Sequence, residues 1–512
     1  MSFMQRTGLH DAAWRTFFLT WLAVAAVCVV LACVFSQEAH HPDEHFQTIA
    51  FAQYKLGELP AEAMPWEIAA HSRQWIQPFI YYHFIRAGRI LGMTDSYQLL
   101  TAMRLLGGLM TIIAVALLML STYRSIADEK LRRFTVRVMA LIWYIPYIAA
   151  RTSSEAFSMI FLTAAFAVFL VMNDDVPQTI SAASASIIGI LLGFAFIFRY
   201  QTAFAIVPFV LYVLIAPRSS TRRRIVPAAL IAGGIICITG LGSLIDWWGY
   251  GHFYFIPWEY FNQQILHNVV NNFRTYPFYA YFYLLSAHPV FPVSLLLTVF
   301  AVAAWLRHPM HLFTWITLGF FIGHSMVGHK ELRFFFPVAL VAIYAIPLAL
   351  SAKNGRIPRF FAALWNARNR VPMRIVYAVN IVALIVVSFM ILKPEFVVMR
   401  LLYRPLANGE RVYYSSSSPY EGPGNLSYQF YQPGNASFIS IKPDALRSVL
   451  STNGTGFLYL TTGTQLSAAE TAAFPVAQLI HRSFPLWVDR FNFFNWMSRT
   501  RMWLLYRIPP KS

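Results

Sequence analysis

TFFLTWLAVAAVCVVLACVFSQEAHHPDEHFQ, residues 16–47, joins two opposed chemistries end to end. The run from Thr16 to Ser36 carries no charge and is long enough to cross about 30 Å of hydrocarbon as a helix. Directly behind it, Asp43 and Glu44 stand among His40, His41 and His45. Titratable groups are costly inside a bilayer and less so at its boundary, so a cluster in that position asks for a reason. Arg6 and Arg15 precede the run, no convincing cleavage site follows it, and more apolar runs come after. It therefore reads as an uncleaved anchor rather than a removed signal peptide.

The rest of the chain repeats the first half of that pattern. Of 512 residues, 57% are hydrophobic and 12% charged, where soluble domains carry about a quarter charged residues. This excludes an ordinary soluble enzyme. Apolar stretches at about 16–36, 97–123, 138–150, 154–172, 180–198, 201–217, 225–245, 280–304, 311–328, 334–351 and 375–392 predict eleven spans. The net charge of +18 would point to nucleic acid in a soluble chain, but here its placement decides. With the N-terminus inside, the inner connections hold 18 Lys and Arg against five acidic residues, which is +13 of the +18. That is a positive-inside signal rather than a nucleic-acid footprint. Cys28, Cys33 and Cys237 all lie in apolar runs, which argues against a disulfide framework and a thiolate metal site.

The expected fold is therefore an all-α polytopic membrane protein over residues 1–392, with a first outer loop at 37–96. Residues 393–512 differ in kind: they are rich in Ser, Gly, Asn, Pro and Tyr, with β-like runs such as Gly456 to Leu460. They predict a small α/β extracytoplasmic domain. Three Asn-x-Ser/Thr sites, at Asn425, Asn435 and Asn453, are a weak pointer to a lumenal setting.

On this topology the polar residues of the other outer connections converge on one membrane face. They are Trp66-Glu67 with Arg73 and Gln77, Arg151 through Glu155, Arg199-Tyr200-Gln201, Asp246 with Tyr250, and His329-Lys330-Glu331-Leu332-Arg333. Snorkelling accounts for any one of these arginines, but poorly for the set. The set suits a substrate whose phosphate lies at head-group level and whose tail lies in lipid. Arg and Lys would neutralise the phosphate, and a carboxylate would deprotonate an incoming hydroxyl, worth ~10² to 10⁴ in rate. His41 and His45 do not have the zinc-protease pattern, which places Glu directly after the first His, so no metal is expected. A transporter would place ionisable groups near the midplane of repeated halves, and no repeat is present.

The blocks His41-Pro42-Asp43-Glu44-His45-Phe46-Gln47 and His329-Lys330-Glu331-Leu332-Arg333-Phe334, continued through Pro337 and Pro347, resemble the two signatures of glycosyltransferase family 22. Trp66-Glu67 with Arg73, Arg151-Thr152, and Asp246 with Tyr250-Gly251 are weaker echoes, and together they cover about residues 15–350. The family comprises GT-C-type mannosyltransferases of GPI-anchor and dolichol-linked glycan assembly. The resemblance implies a GT-C-type fold and transfer of mannose, with inversion, from a polyprenyl (dolichyl) phosphate mannose to a lipid-linked glycan. It places the reaction at the extracytoplasmic or lumenal face of a bacterial inner membrane or the endoplasmic reticulum, with no cofactor, metal or nucleotide sugar. Asp43 matches the catalytic base and Glu44 is its neighbouring alternative. His329, Lys330 and Arg333 match the donor-phosphate site, with Glu331, Arg73, Arg151, Arg199, Gln201 and Asp246 completing the expected substrate-binding set. Glu155 departs from the pattern, standing where Asn is usual. Another polyprenyl-phosphate sugar, or a protein acceptor, would fit the same architecture.

Overall fold

The computed structural model describes residues 2–36, 38–172, 180–215, 221–351, 359, 371–391, 393–424, 426–434, 436–442, 445, 456–492, 496–497 and 500–510. The three Asn-x-Ser/Thr asparagines lie outside the described residues, as do the inner-connection charges Asp174, Asp175, Arg218, Lys353, Arg356, Arg368 and Arg370. The chain divides into two compact units. One comprises Met1–Ser36, Trp66–His83 and Ala102–Met390, the other Gln37–Pro65, Phe84–Thr101 and Ile391–Ser512.

Because hydrocarbon offers no partner to a bare backbone, apolar sequence of this length must close its hydrogen bonds internally as helix. Asp11 starts the first helix, Ala12–Phe35, by accepting the amide protons of Ala13 and Trp14 at 2.9 and 3.2 Å. Among the described residues five helical stretches are long and apolar enough to cross a membrane: Ala12–Phe35, Ser96–Ser125, Ser154–Met172, Arg224–Tyr250 and Val371–Ala407. The protein is thus a multi-pass membrane protein. The remaining apolar stretches are helical but short or broken. The 138–150 stretch divides between Glu129–Leu141 and Tyr144–Ala149, and the 334–351 stretch between Phe336–Ala342 and Ala345–Leu350. Val293–Arg307 and Leu312–Met326 meet at 118°. Pro208 sits inside Ala203–Ile215, where its missing amide proton and its ring disturb the helical ladder.

Within the first unit, Ser154–Met172 is the enclosed helix, with 78% of its apolar window buried against 28% for Ala12–Phe35 and for Arg224–Tyr250. Its last carbonyls, on Val171 and Met172, accept hydrogen bonds from Arg6 and Arg124, cations where the helix dipole favours them. Beside it, Ala182–Phe198 and Thr221–Tyr250 approach closely enough that backbone meets backbone. A Cβ on Gly189 would lie 2.5 Å from the Ile231 carbonyl oxygen, and one on Gly234 would lie 2.7 Å from the Gly189 carbonyl carbon. Small residues replace side-chain interdigitation here, the usual device where lipid removes the hydrophobic drive for helix association.

The second unit contains a five-stranded mixed sheet in the order β2-β1-β3-β5-β4, formed by Val412–Tyr414 (β1), Phe438–Ser440 (β2), Phe457–Thr462 (β3), Gln478–Arg482 (β4) and Trp503–Ile508 (β5). β1 pairs in parallel with β2 and β3, while β5 runs antiparallel to β3 and β4. β3 is buried on both faces, as its near-continuous apolar run requires. The short helix Ala468–Ala473 covers it through a capping box in which Ser467 and Glu470 satisfy each other's amides. Glu470 also accepts from the Tyr459 and Thr461 hydroxyls at 2.6 and 2.8 Å.

The glycine crossing gives a direct test. Gly189→Ala forces two helix backbones apart and costs roughly 1–3 kcal/mol of stability, read as a lower thermal midpoint in detergent. Gly233→Ala, whose added Cβ meets nothing within 4 Å, leaves the midpoint level or raised.

Candidate active site

The enclosed helix begins with a buried carboxylate. Glu155 lies in the first turn of Ser154–Met172, where the positive end of the helix dipole favours an acid. Its Oε1 pairs with the Arg199 Nη2 at 3.1 Å and the Arg333 Nη1 at 3.5 Å, and all three side chains are almost fully enclosed. Arg333 also donates through Nε to Glu331, whose other oxygen meets the His329 Nε2 at 2.8 Å. The second ring nitrogen of His329 bonds the Arg274 carbonyl oxygen at 2.9 Å. Lys330 is buried and donates to the Ser325 and Val327 carbonyl oxygens. The structure thus brings His329, Lys330, Glu331, Arg333 and Arg199 of the expected set together.

The sign of this group matters more than any one bond. Among the described residues Arg199, Arg333 and Lys330, whose pKa burial lowers, are the basic members, His329 joins them when protonated, and Glu155 and Glu331 are the acids paired with them. Burying a surplus of one sign is costly unless a counter-charge arrives. Arg, Lys and protonated His are the side chains that donate charge-assisted hydrogen bonds. Among the described residues no set of three or more His, Cys, Asp or Glu is gathered to hold a metal ion.

The other expected residues of this unit have different surroundings. Arg73 pairs with Glu67 at 3.3 Å, and its backbone exchanges hydrogen bonds with the Tyr250 hydroxyl. Asp246 accepts the Trp75 amide proton at 2.7 Å, so it shapes the 73–75 turn. Arg151 donates to the Ser36 hydroxyl and the Tyr147 carbonyl oxygen, and Arg104 donates to the Ser36 carbonyl oxygen. Two buried cations thus hold the C-terminal end of the first helix. The Gln201 Oε1 is buried and accepts no hydrogen bond among the described residues.

In the second unit, the two adjacent acids are sharply distinguished. Glu44 is buried and accepts the His41 amide proton at 3.2 Å. The Asp43 side chain keeps 25% of its surface exposed and lies 3.5 Å from the His41 Nδ1. Of the pair, Asp43 is the one a hydroxyl can reach.

The profile of the Alg9-like mannosyltransferase family matches residues 19–408. The chain belongs to this family. Among curated relatives, the Alg9-like chain is 22% identical over 339 residues to GPI mannosyltransferase 3 of Drosophila melanogaster. The match covers 65% of this chain and 56% of that one, so the chain spans little more than half the length of the relative. The GT-C-type fold appears in the likeness to ArnT from Cupriavidus metallidurans, solved with undecaprenyl phosphate. That chain is 12% identical with a TM-score of 0.52, covering 97% of this chain and 98% of ArnT. Its apo form gives 0.51.

Sequence reasoning placed Glu155 and Glu67 of this Alg9-like chain on the converging face and gave neither a role at the site. Only the fold shows that Glu155 serves arginines from two other connections. Removing it as Glu155→Ala breaks a buried pair, a loss of about 3–5 kcal/mol. Glu129→Ala, at the exposed 2.8 Å pair with Arg133, costs under about 1 kcal/mol; thermal midpoints in detergent compare the two. His329 supplies a pH signature. The hydrogen bond to Glu331 raises its pKa, against the opposing effect of burial. A raised folded pKa gives stability that is complete below the unfolded value of about 6.5 and lost as pH climbs through the folded one. The thermal midpoint accordingly falls over that interval, and His329→Gln lacks this component.

Proposed function

We propose that this protein transfers mannose, with inversion, from a polyprenyl (dolichyl) phosphate mannose to a lipid-linked glycan. The reading is supported by family membership, and the observation that carries it is the buried, cation-rich group around Glu155. A donor phosphate supplies the anion that Arg199, Lys330, Arg333 and protonated His329 call for, and neutralising it makes polyprenyl phosphate a competent leaving group without a separate acid. Asp43 accepts the proton of the acceptor hydroxyl as that oxygen attacks the anomeric carbon, and the bond to phosphate oxygen breaks. We place the reaction at the extracytoplasmic or lumenal face and the N-terminus inside, with the short and bent helices completing eleven crossings. The inner-face excess of basic residues supports that orientation.

The test uses the purified full chain, labelled polyprenyl-phosphate mannose and a membrane lipid extract, with labelled glycolipid as the readout. Asp43→Asn lowers turnover by about 10² to 10⁴ with expression unchanged. Normal turnover in this variant would sink the assignment of the base. Lys330→Met loses one charged donor, worth roughly 1.5–3 kcal/mol, and raises the donor KM about tenfold or more. An unchanged donor KM would remove Lys330 from the phosphate site.

A further inference from the structure

The stretch that carries Asp43 is fastened at both ends by the last quarter of the chain. On its N-terminal side the buried Glu38 accepts the Lys393 amide proton at 2.7 Å. On its C-terminal side the enclosed His45 ring lies 5.1 Å from Tyr428 and 5.4 Å from Tyr431, and Phe46 lies 4.9 Å from Tyr428. Tyr428 belongs to a tight turn closed by hydrogen bonds from the Tyr428 amide to the Tyr420 carbonyl and from the Gly422 amide to the Leu426 carbonyl, both 2.8 Å. That turn reaches the Phe46 ring because residue 422 has no side chain: a Cβ there would fall 2.4 Å from the Phe46 Cζ. Tyr428 and Tyr431 are in turn held against Phe396 at 5.4 Å each. The hydroxyl of Tyr428 has its pKa raised, chiefly by burial, and the nearby charges of Glu44 and Asp43 push in the same direction.

We infer that the 420–431 segment of the C-terminal region is part of the catalytic apparatus, with Tyr428 acting as a positioning residue that holds the Asp43 loop in register. The inference rests on Asp43 being the base. Its physical content is geometric. Between its two fastenings the loop turns so that Glu44 is buried while Asp43 stays accessible, and a shift of about 1 Å at a reacting group can cost up to 10²-fold. The rings of Tyr428 and Tyr431 lie against His45, so one wall of the loop is aromatic packing.

Three variants of the full-length protein test this in the glycolipid assay, each with donor KM, acceptor KM and the pH profile of kcat. Tyr428→Ala lowers kcat roughly 10- to 100-fold, leaves the donor KM within twofold, and displaces the acidic limb of the profile as the base loosens. Tyr428→Phe restores kcat and the profile, because the ring is kept. Gly422→Ala, a smaller perturbation that pushes on Phe46 and needs no cavity, moves the same parameters in the same direction. Wild-type kcat in both Tyr428→Ala and Gly422→Ala overturns the inference, as does a fall in kcat with the pH profile unmoved. Asp43→Asn is run alongside. If it turns over normally, the reading of the base has failed. If it is inactive while Tyr428→Ala and Gly422→Ala work normally, the positioning role alone has failed.

Discussion

One carboxylate, Glu155, organises the first unit. It sits at the start of the most enclosed helix and is shared by two guanidinium groups brought from separate connections, Arg199 and Arg333. An unpaired carboxylate there would be expensive, and Arg333 ties the pair onward to Glu331. Each member therefore makes the others tolerable, and the ends of three apolar segments are drawn to one point. At the far end of the same helix, Arg6 and Arg124 close its terminal carbonyls. The helix is thus held by ionic groups at both ends while its flanks are packed with apolar side chains.

The same arrangement explains why basic residues outnumber acidic ones at this point. Full pairing would give a neutral, inert core. A positive balance in a buried group is unfavourable by itself. Substitutions among these side chains therefore move stability.

Much of this was legible in the sequence, and the limits of legibility are physical. The apolar runs marked the helices, and the β-like run at Gly456 to Leu460 starts one residue before the central strand β3 and runs into it. The 329–333 block announced its own chemistry, since His, Lys, Glu and Arg within five residues at the edge of an apolar run have few bland explanations. Burial was not legible. In water, a helix apolar all round is a core helix; in lipid the outer helices are equally apolar, so Ser154–Met172 and Arg224–Tyr250 read alike although their enclosure differs greatly. Helix breaks at 142–143 and 343–344 escaped notice because hydropathy does not register a broken ladder. Asp246 and Arg151 read as ligand-binding residues, and the structure adds that Asp246 accepts the Trp75 amide proton and that Arg151 donates to Ser36 at the end of the first helix. A polar residue at a span boundary has the same sequence signal whether it serves a substrate or the backbone.

The fastening of the Asp43 loop has a consequence for biogenesis. Glu38 through Phe46 emerge from the ribosome directly after the first helix, yet Lys393, Gly422, Tyr428 and Tyr431 are made only near the end. Contacts so distant in sequence form last. For most of its synthesis the chain therefore carries the stretch around Asp43 without these partners. A ribosome that stops before residue 393 leaves the stretch around Asp43 without the Lys393 amide and without the Tyr428 and Tyr431 rings that pack against it.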